Sequence, residues 1–321
     1  MKETIAIAHP NFALVKYWGK KDSDQNRPAM SSISITVDSM QSKTRIISDE
    51  AANKHRLFIN GKEESDLSRV LPSIDYLSKI SKSDDYLVIR SENNFPTSSG
   101  LASSASGIAS LVTAYEAHYG INLEMRDRIQ ASILGSGSAP RSLLGGFVLM
   151  DHKNNYNCSQ ILEKYDWPLD ILICIVSNHK KKISSREGME ISKKTSPIYM
   201  DWLNINARHI GLALKAIKNK NLTALEKVSE ENCKLMHRVM KTSNPSIVYM
   251  TETTQSCLAE IQRLRSSGHK LFYTIDAGPQ IKIICDPSSS KLIKDSIKKN
   301  TDVIKIIDAG IGGPPKILNE D

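Results

Sequence analysis

Three segments of this sequence set chemically capable side chains at close spacing. In Asn11-Phe12-Ala13-Leu14-Val15-Lys16-Tyr17-Trp18-Gly19-Lys20, two lysines stand four apart around an aromatic pair. This is either a strand end with solvated lysines or an anion site, where Lys16 and Lys20 meet phosphate or carboxylate charge and Tyr17 supplies a hydroxyl donor. Ser136-Gly137-Ser138-Ala139-Pro140-Arg141-Ser142 combines hydroxyls, a flexible backbone and one guanidinium. It serves as a helix-capping turn with an exposed arginine, or it places Arg141 bidentate on a carboxylate, with Ser136 and Ser138 donating to the same molecule. Phe272-Tyr273-Thr274-Ile275-Asp276-Ala277-Gly278-Pro279 leaves an acid at the end of an apolar strand. Asp276 is a turn former there, or, in a cleft near Lys16 and Arg141, an ionised carboxylate that accepts a hydroxyl proton or orients the hydroxyl.

A fourth segment suits phosphate. Asn94-Phe95-Pro96-Thr97-Ser98-Ser99-Gly100-Leu101-Ala102-Ser103-Ser104-Ala105 joins a predicted strand to a predicted helix through small residues. Gly100 and its neighbours let backbone N–H groups approach phosphate oxygens. The following helix directs its positive end at them, and Ser103 and Ser104 can reach phosphate or Mg²⁺. The spacing is neither that of the Walker loop nor that of a dinucleotide fingerprint; alone, such a turn is also a common tight connection.

The elements that must carry these segments follow from periodicity. Short apolar, β-rich runs predict strands over residues 4–9, 33–37, 44–47 and 57–59, the last entering an Asn60-Gly61 hairpin turn. Helical spacing marks 66–80, 103–119 and 123–134, with strands over 86–90, 145–150 and 171–176. The pattern then turns helical over 185–194, 201–218, 222–241 and 250–265. It ends as strand 270–275, strand 281–285, helix 289–299 and strand 303–307, a small α+β sandwich.

Size and composition bound the rest. A chain of 321 residues suits two packed domains sharing a cleft, and 40% apolar with 24% charged residues is globular. The net charge of +8 favours anionic partners, although the runs Lys180–Lys182 and Lys291, Lys294, Lys298, Lys299 read as solvated surface. Cys158, Cys174, Cys233, Cys257 and Cys285 form no zinc or redox spacing and are expected to be reduced. No apolar run approaches the roughly 20 residues that span a bilayer and the N-terminus lacks a signal-like apolar stretch, so a cytoplasmic protein is expected.

Together the motifs resemble the diphosphomevalonate decarboxylase family, within the galactokinase and mevalonate kinase superfamily. The resemblance lies in Lys-Tyr-Trp-Gly-Lys, in Asn-Asn-Phe-Pro-Thr with Gly-Leu-Ala-Ser-Ser-Ala, in Ser-Gly-Ser-Ala-x-Arg-Ser with Gly-Gly-Phe, and in Asp-Ala-Gly-Pro, spread from residue 11 to 279. Ala102 stands where many kinases of the superfamily have glycine, as in the decarboxylase branch. Pro140 before Arg141, and Gln280 where asparagine is the family residue, are departures. Residues 190–265 add little to it.

The resemblance implies an α+β, two-domain GHMP kinase-like fold. A ribosomal S5 domain 2-like α/β domain, residues 1–182, would bind ATP, and a ferredoxin-like α/β sandwich would follow over 183–321. It implies ATP-dependent decarboxylation of diphosphomevalonate with ATP and Mg²⁺, no nucleic acid or membrane partner, and a homodimer. Asp276 would be the acid/base group at the 3-hydroxyl, Arg141 would hold the carboxylate, and Lys16 would support the reacting centre. Tyr17, Trp18, Gly19 and Lys20, with Ser136, Gly137, Ser138, Ala139 and Pro140, would line the substrate. Ser185 and Arg186, in a stretch resembling the family's Ser-x-x-Gly-Met, would reach the diphosphate. Pro96, Thr97, Ser98, Ser99, Gly100, Leu101, Ala102, Ser103 and Ser104 would hold ATP, with Ser104 toward the metal. Competing readings are a relative decarboxylating the monophosphate, one that stops at phosphorylation of mevalonate, a basic nucleic-acid-binding protein and a dead paralogue. The second to last lacks any binding motif or aromatic stacking cluster, and the last lacks a missing catalytic group.

Overall fold

The computed structural model describes residues 2–22, 25–48, 52–96, 100–179 and 181–318. Three sheets organise the chain. The first, six-stranded, contains β1 (Glu3–Ala8), β4 (Ser42–Ser48), β5 (Arg56–Ile59), β6 (Lys62–Glu64), β7 (Leu87–Asn93) and β14 (Lys316–Leu318), in the order β14-β1-β4-β7-β5-β6. Asn60 and Gly61 both have positive φ, 50° and 80°, and close the β5–β6 hairpin. Helices α1 (Leu71–Ser81), α2 (Ser103–Tyr119) and α3 (Met125–Gly135) pack on this sheet around Ile46, Leu57, Leu77, Ile89, Leu111 and Val112.

The second sheet is β2-β3-β8-β9, formed by β2 (Asn11–Val15), β3 (Ser32–Thr36), β8 (Phe147–Asp151) and β9 (Asn157–Leu162). The third is β11-β12-β10-β13, formed by β10 (Asp170–Ile175), β11 (Leu271–Ile275), β12 (Ile281–Cys285) and β13 (Lys305–Ala309), all antiparallel. Strands β2, β3, β11 and β12 are buried along their whole length; β2, β11 and β12 accordingly lack the period-2 pattern, whereas β3 alternates Ser32, Ile33, Ser34, Ile35 and Thr36 and buries its hydroxyl side chains too. The later helices are α4 (Ser185–Thr195), α5 (Tyr199–Lys218), α6 (Leu222–Lys241), α7 (Glu252–Ser266) and α8 (Pro287–Asn300).

One core joins the second and third sheets to α5 and α6, through Phe12, Leu14, Phe147, Ile171, Ala213, Leu225 and Phe272. Burying one such large side chain contributes about 1.5–3 kcal/mol. The sheets meet at β2 and β11, where the Thr274 hydroxyl donates to the Ala13 carbonyl at 2.8 Å. Lys16 follows the last residue of β2 and Asp276 the last residue of β11. The junction therefore delivers both side chains to one point.

Candidate active site

A cavity of about 350 Å³ opens where these strand ends face the starts of α2 and α4. Six basic side chains line it: Lys16, Lys20, Arg69, Arg141, Lys181 and Arg186. Among the described residues Asp276 is the only carboxylate that does so. Such a lining favours a multiply charged anion.

The phosphate-loop segment ends at α2. Ala102, the helix N-cap, has φ 56° and offers no side-chain acceptor; its carbonyl takes the Ala105 N–H at 2.9 Å, which leaves the N–H groups of the cavity-lining Ser103 and Ser104 to face a ligand. A left-handed alanine is disfavoured by about 1–2 kcal/mol, which the buried packing of Leu101 and Ala105 on either side must outweigh. Gly100, at φ +85°, lies against the turn after Asp276: a Cβ there would come within 2.8 Å of the Gly278 Cα. Only glycine allows that approach. The Ser104 hydroxyl is 3.2 Å from that of Ser136, which is 3.2 Å from that of Ser138.

The centre of the site is an ion cluster. Lys16 Nζ donates to Asp276 Oδ1 at 2.6 Å, and Lys282 Nζ donates to Asp276 Oδ2 at 3.1 Å. Lys16 is 1% exposed and Lys282 fully buried, whereas the Asp276 side chain keeps 21% exposure at the cavity edge. Burial alone would raise the Asp276 carboxyl, but the two ammonium groups overcome it and hold the acid well below the usual carboxylate range. Burial pushes the Lys282 ammonium down, against the pull of Asp276. The strand-end lysine at position 16 is thus not solvated.

Helix α6 fixes both partners from behind. The Asn232 Oδ1 accepts the Lys16 backbone N–H at 2.6 Å, and its Nδ2 donates to Asn206 Oδ1 at 2.8 Å. The residue before Asp276 is held twice: the Ile275 N–H donates to Cys233 Sγ at 3.4 Å, and His237 Nε2 donates to the Ile275 carbonyl at 3.3 Å. That bond makes Nε2 the protonated nitrogen, and burial with Lys16 nearby pushes the His237 pKa down to about 4. His237 is a neutral strut.

On the opposite wall the short 3-10 turn Ala139–Leu143 brings in Arg141. Its Nε donates to Asn11 Oδ1 at 3.1 Å and its Nη1 donates to the Ser32 hydroxyl, and among the described residues Nη2 has no hydrogen-bond partner. Burial lowers the Arg141 pKa to about 10. Tyr17 has a buried hydroxyl with no hydrogen-bond partner among the described residues, and burial raises its pKa. Lys20 is 2% exposed, and burial together with Arg186 lowers it to about 8. Lys181 is lowered to about 8 by burial and Arg69; it donates to the Ser185 hydroxyl at 2.6 Å and to the Ala277 carbonyl at 3.0 Å. The expectation that this lysine belongs to a solvated run is therefore corrected.

Lys16, Tyr17, Trp18, Lys20, Gly100, Leu101, Ala102, Ser103, Ser104, Ser136, Gly137, Ser138, Arg141, Ser185, Arg186 and Asp276 all line the one cavity. Gly19, Ala139 and Pro140 do not. Gly19 faces Tyr199, whose hydroxyl would lie 1.9 Å from an added Cβ, and the other two shape the turn that carries Arg141. Pro96 is exposed and away from the cavity lining; Thr97, Ser98 and Ser99 lie outside the described residues. Sequence reading missed Lys282, Lys181, Arg69, Asn11 and the α6 struts. A lysine inside the apolar run Ile281-Lys282-Ile283-Ile284 was the legible sign for the first. Arg69 was hidden because helix spacing was extended back to residue 66, whereas Pro72, in the first turn, opens the helix only at Leu71.

The two-domain α+β fold with a serine-rich loop at the start of a buried helix defines a member of the galactokinase and mevalonate kinase class. Residues 8–160 match the family described as diphosphomevalonate decarboxylase-like N-terminal domain, and 171–317 match the mevalonate 5-diphosphate decarboxylase C-terminal domain. The diphosphomevalonate decarboxylase of Ganoderma lucidum is 33% identical over 92% of this chain and 82% of its own; that of Candida albicans is 32% identical over 94% and 89%. The crystal structure of mevalonate diphosphate decarboxylase from Staphylococcus aureus superimposes with a TM-score of 0.92 at 31% identity, covering 99% of this chain and 98% of that one. A structure described as MDDEF in complex with MVAPP, AMPPCP and magnesium gives 0.91 at 27% identity, covering 99% of each chain. This chain belongs to the diphosphomevalonate decarboxylase family.

Proposed function

We propose that the protein converts (R)-5-diphosphomevalonate and ATP to isopentenyl diphosphate, ADP, phosphate and carbon dioxide. The observation that carries this reading is a single cavity where two helix starts and six cations surround one carboxylate. The cations suit a substrate bearing a diphosphate at one end and a carboxylate at the other, with the nucleotide phosphates between.

In this reading Lys20, Arg69, Ser185 and Arg186 take the diphosphate, and Arg141 holds the substrate carboxylate through its free Nη2. The first turn of α2, with Ser103 and Ser104, takes the ATP phosphates. Asp276 faces the tertiary hydroxyl. Its strong acidity favours orienting that hydroxyl by accepting its hydrogen bond over removing the proton before phosphoryl transfer begins. Once the oxygen is phosphorylated, phosphate leaves with the C–O electron pair. The carboxylate C–C pair then forms the new double bond as carbon dioxide departs. Tertiary hydroxide leaves poorly and phosphate leaves well, so no protein nucleophile is required and catalysis is positioning plus charge stabilisation.

Among the described residues no cluster of three or more His, Cys, Asp or Glu side chains could cage a metal. Magnesium fits as a partner of the nucleotide phosphates, reached by the Ser104 hydroxyl; bound there it would neutralise phosphate charge. The reading extends to a cytoplasmic homodimer, and no described helix is long and apolar enough to cross a membrane. It also extends to a division into two domains, for which the pairing of β10 with β12 and β13 favours a boundary ahead of Asp170. Incubation with ATP, Mg²⁺ and, separately, mevalonate, its phosphate and its diphosphate tests the assignment. Turnover of the diphosphate alone supports it, preference for the monophosphate moves the protein to a sister activity, and inertness toward all three refutes it.

A further inference from the structure

Strand β12 is buried at every position, yet its second residue is a lysine. Burying an ammonium is expensive unless its hydrogen-bond donors are matched. Lys282 matches two of its three donors with oxygen acceptors and sets its charge over an aromatic ring. It donates to the Gly100 carbonyl at 2.8 Å and to Asp276 Oδ2 at 3.1 Å, and it sits 4.6 Å from the centre of the Phe12 ring. The first contact is a carbonyl within the phosphate-loop segment, and the second is the carboxylate of the site. Gly100 and Gly278 are already packed backbone to backbone beside it. Lys282 does not line the cavity.

We propose that Lys282 is a positioning residue that ties the phosphate loop to Asp276, so that the loop-bound nucleotide and the carboxylate at the reacting hydroxyl are held in one register. The proposal deepens the reading of the preceding subsection and rests on it. A lysine that merely filled the core would contact neither the loop carbonyl nor the catalytic acid. Lys16 anchors the other oxygen of the same carboxylate and has no hydrogen bond to the described residues of the loop, so the two lysines divide the work: Lys16 fixes the acid to β2, and Lys282 fixes it to the nucleotide cradle.

The charged and titratable groups facing Asp276 are Lys16 from the end of β2, Lys282 from β12, Arg141, Lys181, and Cys233 and His237 from α6. Removing one of the two contacting cations raises the pKa of a carboxyl that both of them hold low. The acid limb of activity, set by protonation of the carboxylate, therefore moves to higher pH.

The test is Lys282→Gln, with soluble folded protein verified first. Expected is a fall in kcat of about tenfold or more from the lost alignment, with KM for diphosphomevalonate changed by less than about threefold. The acid limb of kcat also shifts upward in pH. A second readout needs no turnover: with aspartate labelled at the side-chain carboxyl by ¹³C, the Asp276 resonance, assigned through Asp276→Asn, titrates at higher pH in Lys282→Gln. An unmoved titration, or wild-type kcat, overturns the proposal. Should Lys282→Gln not fold, the wild-type protein decides: ADP binding at the loop must displace the Asp276 carboxyl resonance, and no displacement overturns the proposal. If the wild-type protein does not turn over diphosphomevalonate at all, the functional reading fails, while the carboxyl titration still judges Lys282.

Discussion

Replacing Asp276 by asparagine keeps the shape of the side chain and removes one charge from the centre of a buried cluster. Lys16 and Lys282, 1% and 0% exposed, would then lie close together without a counter-ion. Each pair with the carboxylate is worth about 4 kcal/mol at a 4 Å charge separation and an effective dielectric constant of 20, offset in large part by desolvation. Loss of one partner from a buried pair leaves a net penalty of about 3–5 kcal/mol. The low end applies here, because the 21% exposed carboxylate borders the cavity. We expect Asp276→Asn to lose about 3 kcal/mol of unfolding free energy at pH 7. The pH dependence is diagnostic. Without Asp276 the Lys282 ammonium, which burial already pushes down, has a folded-state pKa still further below the unfolded value of about 10.4, so between the two values the unfolded chain binds more protons and stability rises with pH. The mutant's deficit should therefore shrink between pH 7 and pH 9.5. Urea unfolding followed by tryptophan fluorescence at both pH values measures it. A deficit of only about 1 kcal/mol, the value of one neutral hydrogen bond, that does not change with pH would refute an ionised carboxylate between two ammonium groups.

Other outcomes follow from the same geometry. Lys20 and Lys181, both lowered to about 8, lose charge as the pH climbs above that value, so KM for the diphosphate substrate should rise from pH 8 to 9.5, and Lys20→Met should flatten part of the rise while raising KM at pH 7. Asn232→Leu leaves the Lys16 backbone N–H without its acceptor and should cost about 1–3 kcal/mol of stability in urea unfolding, with kcat reduced more than KM is raised. Phe12→Ala opens the core beneath the Lys282 ammonium and should destabilise by about 3–5 kcal/mol in the same assay.

The sequence made the chemistry more legible than its supports. From their own surroundings Asp276, Lys16 and Arg141 each allowed a bland reading as well as a chemical one; the family resemblance chose the chemical one, and the structure brings all three to one cavity. Helix α2 and strand β12 have the boundaries that periodicity assigned them, residues 103–119 and 281–285. Strand β9, with its polar Asn157, Ser159 and Gln160, carries no clear alternation and was not foreseen. The short β14 pairs with β1 from the far end of the chain, a partnership that no local pattern encodes. Lys181 was misjudged because a basic residue in a run of lysines is ordinarily solvated, and Arg69 was passed over inside an overlong helix; only tertiary packing directs these two to the cavity. The α6 struts were invisible because Asn232, Cys233 and His237 read as one amphipathic helix face, and their partners, Lys16 and Ile275, lie more than thirty residues away.

The central claim is that one site couples phosphoryl transfer to decarboxylation. The most direct measurement follows ADP and carbon dioxide together in a single time course with ATP, Mg²⁺ and diphosphomevalonate, alongside Asp276→Ala. The account predicts equal release of the two products by the wild-type protein and neither from the variant. ADP formed without carbon dioxide, or equal release that survives the loss of Asp276, would contradict it.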